Sequence, residues 1–304
     1  MNRYRPYTEF LKTHFGTKVY KVALDAGFTC PNRDGAVAKG GCTFCAEGSR
    51  AEYVNPSLSL AEQLQKGMEK YRNKYNAKKF LAYFQAYTNT YAPVDRLRQV
   101  LSEPLAHPDV VGLSIGTRPD CVGEDVLDLL KGLAQRRYLL LEMGIQSFDN
   151  KILEWINRGH DVATFLDAVE RAVAKGLRVC VHVILGFTGE TTDSLIRMAK
   201  TLSALGIDGI KIHNLHVIRH TPLAKIYEDG GLEMISREEY VSRVRHLLEH
   251  LDPAIWVHRV TGEAPAAEML APAWASDKSA LLQAIRQDLE LHDSHQGGER
   301  QAIS

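Results

Sequence analysis

An α/β fold of repeated strand–helix units is predicted by two features of the chain: short apolar, β-branched segments alternate with longer amphipathic ones, and turn residues stand between them. A third observation places chemistry in that fold. Cys30, Cys42 and Cys45 fall in one glycine-rich loop after the first strand, at the end where parallel α/β folds seat their ligands. Right-handed crossovers between such units build either an open doubly wound sheet or a barrel. Periodicity leaves both open.

Six strands are expected, at Val19–Leu24, Phe80–Tyr87, Val110–Ile115, Tyr138–Ile145, Val179–Leu185 and Gly209–His216. Helical patterns lie between them: "SLAEQLQKGMEKYRNKY" from Ser59, "VDRLRQVLSEPLA" from Val94, "EDVLDLLKGLAQR" from Glu124, "DNKILEWINRG" with "DVATFLDAVERAVAKG", and "TTDSLIRMAKTLSALG" from Thr191. Each repeats apolar residues at three- and four-residue spacing, and Gly176 and Gly206 are suited to end two of them. After the sixth strand, "SREEYVSRVRHLLEHLD" from Ser236 reads as an amphipathic helix, "AIWVHRV" as a candidate seventh strand, and a Pro/Ala-rich stretch leads into a terminal helix. The expected divisions are an N-terminal segment 1–17, a core 18–225, a packed C-terminal extension 226–290 and a tail 291–304 without apolar periodicity, expected to be disordered.

Composition bounds the partners. Lys+Arg and Asp+Glu are equal at 37 each in 304 residues, so overall charge makes no case for nucleic acid or membrane, and only local clusters can. The polar opening "MNRYRPYTEFLKTHFG" lacks the apolar stretch of a signal peptide, and no apolar run approaches about 18 residues. The expectation is a cytoplasmic protein with no membrane partner, whose reduced thiols serve as metal ligands or catalytic groups rather than disulfides.

Cys42 and Cys45 are three apart, a spacing at which two thiolates converge on one centre, and the intervening "PNRDGAVAKGG" can fold back to bring Cys30 beside them. Three readings compete. Zinc needs a fourth ligand, and the nearest histidine is His14, with Cys121 or Cys180 as alternatives. Burial as small hydrophobes fits poorly in a loop of Gly, Asn, Arg, Asp and Lys. An iron-sulfur cluster held by three thiolates leaves one iron open to a substrate or cofactor.

On these residues the sequence resembles the radical S-adenosylmethionine (SAM) superfamily, and within it the YhcC/YtqA family of the branch that resembles the Elongator catalytic subunit. The resemblance rests on "GFTCPNRDG…GGCTFC", "YFQAYTNTYAP", "GLSIGTRPDC", "LEMGIQS", "INRGHD", "VHVILGFTGET", "DGIKIHNLHV" and "VHRV…LAPAW" in that order. It implies a partial (βα)6 TIM-type barrel with a C-terminal helical and strand extension. It further implies a 4Fe-4S cluster on Cys30, Cys42 and Cys45, SAM chelated to the open iron, and an external one-electron reductant of flavodoxin or ferredoxin type.

The same resemblance assigns the cofactor side of the mouth. The superfamily's Gly-Gly-Glu turn is replaced by "FQAYTNTY", so Gln85, Thr88 and Asn89 become candidates for the SAM amino group, although polar residues at a strand end need have no such role. Gln146 and Arg158 match positions that contact SAM in the coproporphyrinogen-dehydrogenase-like branch. A guanidinium suits the SAM carboxylate, while the bland reading is a helix-end arginine. Glu142 faces the ribose or pairs with a base. Gly186 and Gly189 match the adenine-binding turn, Thr191 or Thr192 caps the helix after it, and His182 stands where relatives often have Asp. Arg118, Asp120, His213, His216 and Arg219 end strands three and six and are candidates for substrate. Cys121 and Cys180 read as buried small residues.

Some members that resemble this sequence act on the tRNA wobble uridine, taking a carboxymethylaminomethyl side chain toward aminomethyl. On that reading a basic surface for tRNA is expected at Lys66 to Lys79, with its interleaved tyrosines, and at Arg136 and Arg137, residues that any soluble helix face can also carry. Two other classes remain: a radical SAM enzyme acting on a small metabolite or a protein, and a non-enzymatic iron-sulfur or zinc module.

Overall fold

The structure is a computed structural model that describes residues 2–46, 51, 53–55 and 57–300. Helix α1 (Tyr7–Phe15) precedes strand β1 (Val19–Leu24), and α2 (Leu60–Tyr75), β2 (Lys79–Phe84), α3 (Val94–Ser102), β3 (Val110–Thr117), α4 (Glu124–Ala134) and β4 (Tyr138–Gln146) follow. Helices α5 (Asn150–Trp155) and α6 (Val162–Ala174) lead to β5 (Arg178–Leu185), α7 (Thr192–Ala204) and β6 (Gly209–Asn214). The remainder comprises β7 (Val217–Ile218), α8 (Pro222–Glu228), α9 (Arg237–His250), β8 (Trp256–Arg259), β9 (Met269–Ala271) and α10 (Lys278–Leu291).

Seven strands form one sheet in the order β1-β2-β3-β4-β5-β6-β8, every neighbouring pair parallel. The expected seventh strand is therefore β8. The sheet curls into a half-barrel whose edges, β1 and β8, do not pair with each other. Helix α1 spans them at the bottom, where the strands begin: Pro6 bridges to Val257, and the Val257 amide donates to the Arg5 carbonyl at 2.8 Å. Tyr7 and Leu11 of that helix are buried against Leu81, Leu140 and Cys180, closing the floor with apolar and aromatic surface. Each such side chain contributes about 2 kcal/mol by burial. Strand β4 is buried from Leu139 to Ile145, as expected of a parallel strand covered on both faces.

Local signals set the element ends. Ser59 caps α2 in a reciprocal box with Glu62, Asp161 caps α6, and Thr191, rather than Thr192, caps α7. Strands β2 and β6 end at Phe84 and Asn214, short of the expected Tyr87 and His216; at the first, Tyr87 turns the chain with a φ of 57°. Two helices, α1 and the seven-residue α8, and the two short strands β7 and β9 carried too little periodicity to be expected.

The tail also differs from expectation. Helix α10 is followed by packed chain up to residue 300, because Gln296 is buried and fully used. Its amide donates to the Asp252 and Ile255 carbonyls at 2.7 and 2.8 Å, and its Oε1 accepts from the Arg5 amide at 2.9 Å. Isolated polar ties of this kind leave no repeating pattern. Residues 301–304 lie outside the described residues.

Candidate active site

At the carboxyl ends of the strands is a cavity of ≈ 320 Å³ lined by Cys30, Cys42, Cys45, Gln85, Thr88, Arg118, Glu142, Gln146, Arg158, His182 and His213, together with Tyr83, Lys211 and Arg259. Most of the sequence-predicted site residues meet here. Gly186, Asp120 and His216 do not line it. A larger groove of ≈ 850 Å³ between α2 and the Glu103–Ala106 turn is walled mainly by apolar side chains and holds none of these groups.

The cysteine loop is seated on the segment that follows α5. The Thr43 amide donates to the Ile156 carbonyl at 2.9 Å, and the Cys45 amide to the Cys42 carbonyl at 3.0 Å, which makes the tight turn between the two thiols. The Asn157 side chain donates to the Gly41 carbonyl at 2.8 Å. Buried Asn32 donates to the Asn157 carbonyl and, at 3.5 Å, to Cys42 Sγ. Gly159, at φ +72°, is the close approach here: a Cβ would stand 2.2 Å from Asn32 Oδ1.

Arg158 crosses from that segment into the cavity. Its Nη1 donates to Cys42 Sγ at 3.4 Å and its Nη2 to the Gly144 carbonyl, while its buried Nε has no partner among the described residues. Gly144 admits it, since a Cβ there would lie 3.2 Å from Arg158 Nη2 and 2.4 Å from Gln146 Nε2. Gln146 itself takes φ 82° at a bulge between β4 and β5. Arg118 is held by Asp120 through two bonds of 2.9 and 2.7 Å and donates to the Arg158 carbonyl at 2.9 Å. Asp120 thus orients an arginine rather than facing the cavity.

A second constellation lies deeper. The buried Glu142 carboxylate accepts from Lys21 Nζ and Ser114 Oγ, each at 2.5 Å, and from Lys211 Nζ, and it contacts His182 Nε2 at 2.8 Å. Lys211 also donates to Tyr83 Oη at 3.1 Å. Burial opposes the Glu142 charge, yet the two lysines hold its carboxyl well below the usual carboxylate range. Burial first, then Lys211, pushes His182 down to about 4. His213 is lowered far below its ordinary value by burial first and by Arg259 next. Its Nε2 is buried without a partner among the described residues.

Asn89 and Gly186 perform structural tasks. The Asn89 side chain and amide both donate to the Gly116 carbonyl, at 2.9 and 3.1 Å, tying the end of β2 to β3. Gly186, at φ +115°, donates its amide to Glu190 Oε2 at 2.7 Å, and Arg243 of α9 pairs with the same carboxylate at 2.9 Å. His216 contacts Asn214 at 2.9 Å beyond the end of β6. Lys66, Lys70 and Lys74 are exposed along the flank of α2, and Lys78 is exposed in the turn that follows it. Arg136 and Arg137 immediately precede β4, at the end of the barrel opposite the cavity.

Residues 30–202 match the profile of the Radical SAM superfamily, and residues 207–290 that of the Radical_SAM C-terminal domain. The chain belongs to the radical SAM superfamily. It is 44% identical over 296 residues to YtqA of Bacillus subtilis, covering 97% of this chain and 92% of that one. It is 40% identical over 270 residues to YhcC of Escherichia coli K12, covering 88% and 86%. A tRNA uridine(34) acetyltransferase of Methanocaldococcus jannaschii is 28% identical over 171 residues, 55% of this chain but 31% of that one. Among solved structures, Methanocaldococcus infernus Elp3 superimposes with a TM-score of 0.68 at 20% identity over 91% of this chain and 64% of that one, which supports the shared fold.

Radical SAM enzymes use a 4Fe-4S cluster and SAM, and the residues present fit both. Burial and the neighbouring Cys42 thiol push the Cys45 thiol up, so three thiolates in one place require the compensating charge of iron. Asn32 and Arg158 supply the donor bonds to sulfur that such clusters use. The unpartnered Arg158 Nε remains available to a carboxylate. Among the described residues no three His, Cys, Asp or Glu side chains are grouped as a single metal ion would need. No helix among them is long and apolar enough to cross a membrane.

Sequence reasoning passed over Lys21, Tyr83, Ser114, Lys211 and Arg259. A usable signal was present: "VYKVAL" and "GIKIHN" each put a lysine inside an otherwise apolar strand, where a charge stays only if it is paired.

Proposed function

We propose that this radical SAM enzyme modifies the wobble uridine of tRNA, converting a carboxymethylaminomethyl side chain toward aminomethyl. The observation that carries the reading is the similarity over 55% of the chain to a protein named as a tRNA uridine(34) acetyltransferase. The cavity supports it, because one wall carries the three cysteines and the others carry cationic groups suited to an anionic substrate.

On this reading Cys30, Cys42 and Cys45 hold the cluster, and Arg158, Gln146, Gln85 and Thr88 hold SAM. When bound and reduced from outside by a flavodoxin- or ferredoxin-type donor, cluster and SAM would supply a 5′-deoxyadenosyl radical able to abstract hydrogen from the carbon beside the amine nitrogen. Arg118 is fixed by Asp120 and stiffens the wall behind Arg158. The floor made by α1 excludes water from below. Lys66, Lys70 and Lys74 lie at four-residue spacing on α2, which runs from the mouth to the end of the barrel where Arg136 and Arg137 also lie, and this flank supplies phosphate contacts.

Deleting the gene tests the assignment. Carboxymethylaminomethyluridine should accumulate in bulk tRNA at the expense of aminomethyl-derived nucleosides. An unchanged nucleoside profile would refute it. A cavity built for a small metabolite would instead tolerate charge reversal of Lys66, Lys70 and Lys74.

A further inference from the structure

Five cationic side chains line the cavity against one carboxylate. Most of this charge is already committed. Arg118 is matched by Asp120, Arg158 by Cys42 and a carbonyl, and Arg33 donates to the Cys45 carbonyl at 3.0 Å. Lys211 shares Glu142 with Lys21, so that pair of lysines retains one uncompensated charge. No hydrogen bond or ion pair joins the exposed Arg259 side chain to another described residue, and Glu263, the carboxylate that feels its charge, is itself paired with Lys278.

The register makes this surplus local. A bulge in β8 skips one residue of the ladder and brings Arg259 opposite Lys211 of β6, and both side chains line the cavity. Lys211 points inward, since it reaches Glu142 and Tyr83. Arg259 therefore projects into the same cavity from the barrel's free edge, and its charge is felt at His213. An unpaired guanidinium beside a half-compensated lysine is a receptor for an anion.

We infer that Arg259 and Lys211 form an anion subsite on the β6–β8 edge that holds the substrate's negatively charged group, separate from the groups that hold SAM. The anion is a carboxylate or a phosphate. Assigning it to the side-chain carboxylate of the wobble uridine rests on the function proposed above.

The test uses reconstituted, SAM-loaded protein and the variants Arg259→Gln and Arg259→Lys. Calorimetric titration with malonate and with inorganic phosphate reads the subsite itself: Arg259→Gln should weaken at least one probe on the order of 10-fold or more, and Arg259→Lys should fall between. SAM affinity should stay within about 2-fold. Equal probe binding by all three proteins, or a loss of SAM affinity in place of probe affinity, would overturn the inference. Binding of tRNA bearing carboxymethylaminomethyl- or aminomethyluridine then identifies the source. A loss in Arg259→Gln confined to the carboxymethyl form assigns the carboxylate, and an equal loss for both assigns a backbone phosphate. If the probes behave as expected while wild-type protein binds neither tRNA, the subsite stands and the tRNA reading falls.

Discussion

The cysteine wall and the β6–β8 wall of one cavity are built in different ways. The first is local: Cys30, Cys42 and Cys45 come from one loop, and a single segment, Ile156–Arg158, seats it by backbone and side-chain bonds. The second is assembled across the barrel, with Lys21 from β1, Ser114 from β3, Glu142 from β4, His182 from β5, Lys211 from β6 and Arg259 from β8. One wall can be altered without unfolding the protein. The other, apart from the exposed Arg259 at its edge, doubles as part of the interior and cannot.

The largest expected effect falls on the local wall. Replacing any of Cys30, Cys42 or Cys45 by Ala should bring SAM-dependent 5′-deoxyadenosine formation to the level seen without protein, while thermal unfolding of the cluster-free proteins shifts little. Retention of cluster absorbance and activity in any one variant would remove that residue from the ligand set.

The assembled wall should fail by stability instead. Glu142→Gln leaves Lys21 and Lys211 buried without a counter-charge and should cost on the order of 3 kcal/mol or more in denaturant unfolding. A loss below about 1 kcal/mol would mean that the network is not an internal tie.

Acid should separate the walls next. His182 is held near 4 in the folded protein against an ordinary value of about 6.5, so between these pH values the unfolded chain binds more protons. The stability it confers is complete above about pH 6.5 and lost as pH falls through about 4, on the order of 3 kcal/mol. His213 and His258 are also lowered and act in the same direction. Unfolding of wild type and His182→Gln across that range should show a shallower acid loss in the variant. Parallel curves would contradict this assignment of the acid loss.

The smallest effect belongs to a cysteine outside both walls. Burial pushes the Cys121 thiol up to about 12, and Cys121 does not line the cavity. Cys121→Ala should leave iron content unchanged and cost less than about 1 kcal/mol.

The same contrast explains what was legible in the sequence. Strand–helix alternation exposed the repeating units, and the Cys42–Cys45 spacing exposed a metal-binding turn, because both signals sit within a few residues of each other. Arg158 was found through resemblance, and its bond to Cys42 spans 116 residues. Glu142 and His182 were named, but the network that joins them to Lys21, Tyr83, Ser114 and Lys211 was missed because its members are single polar residues on six different elements, and only the barrel's curl brings them together. Helix α1 and the Gln296 ties were missed for the same reason: each closes the barrel through contacts between chain ends.

The most direct test of the account is nucleoside analysis of tRNA carrying carboxymethylaminomethyluridine after incubation with reduced, cluster-loaded protein and SAM. Loss of that nucleoside, appearance of aminomethyluridine and formation of 5′-deoxyadenosine in the same reaction is the expected result. Formation of 5′-deoxyadenosine over an unchanged nucleoside profile would contradict it.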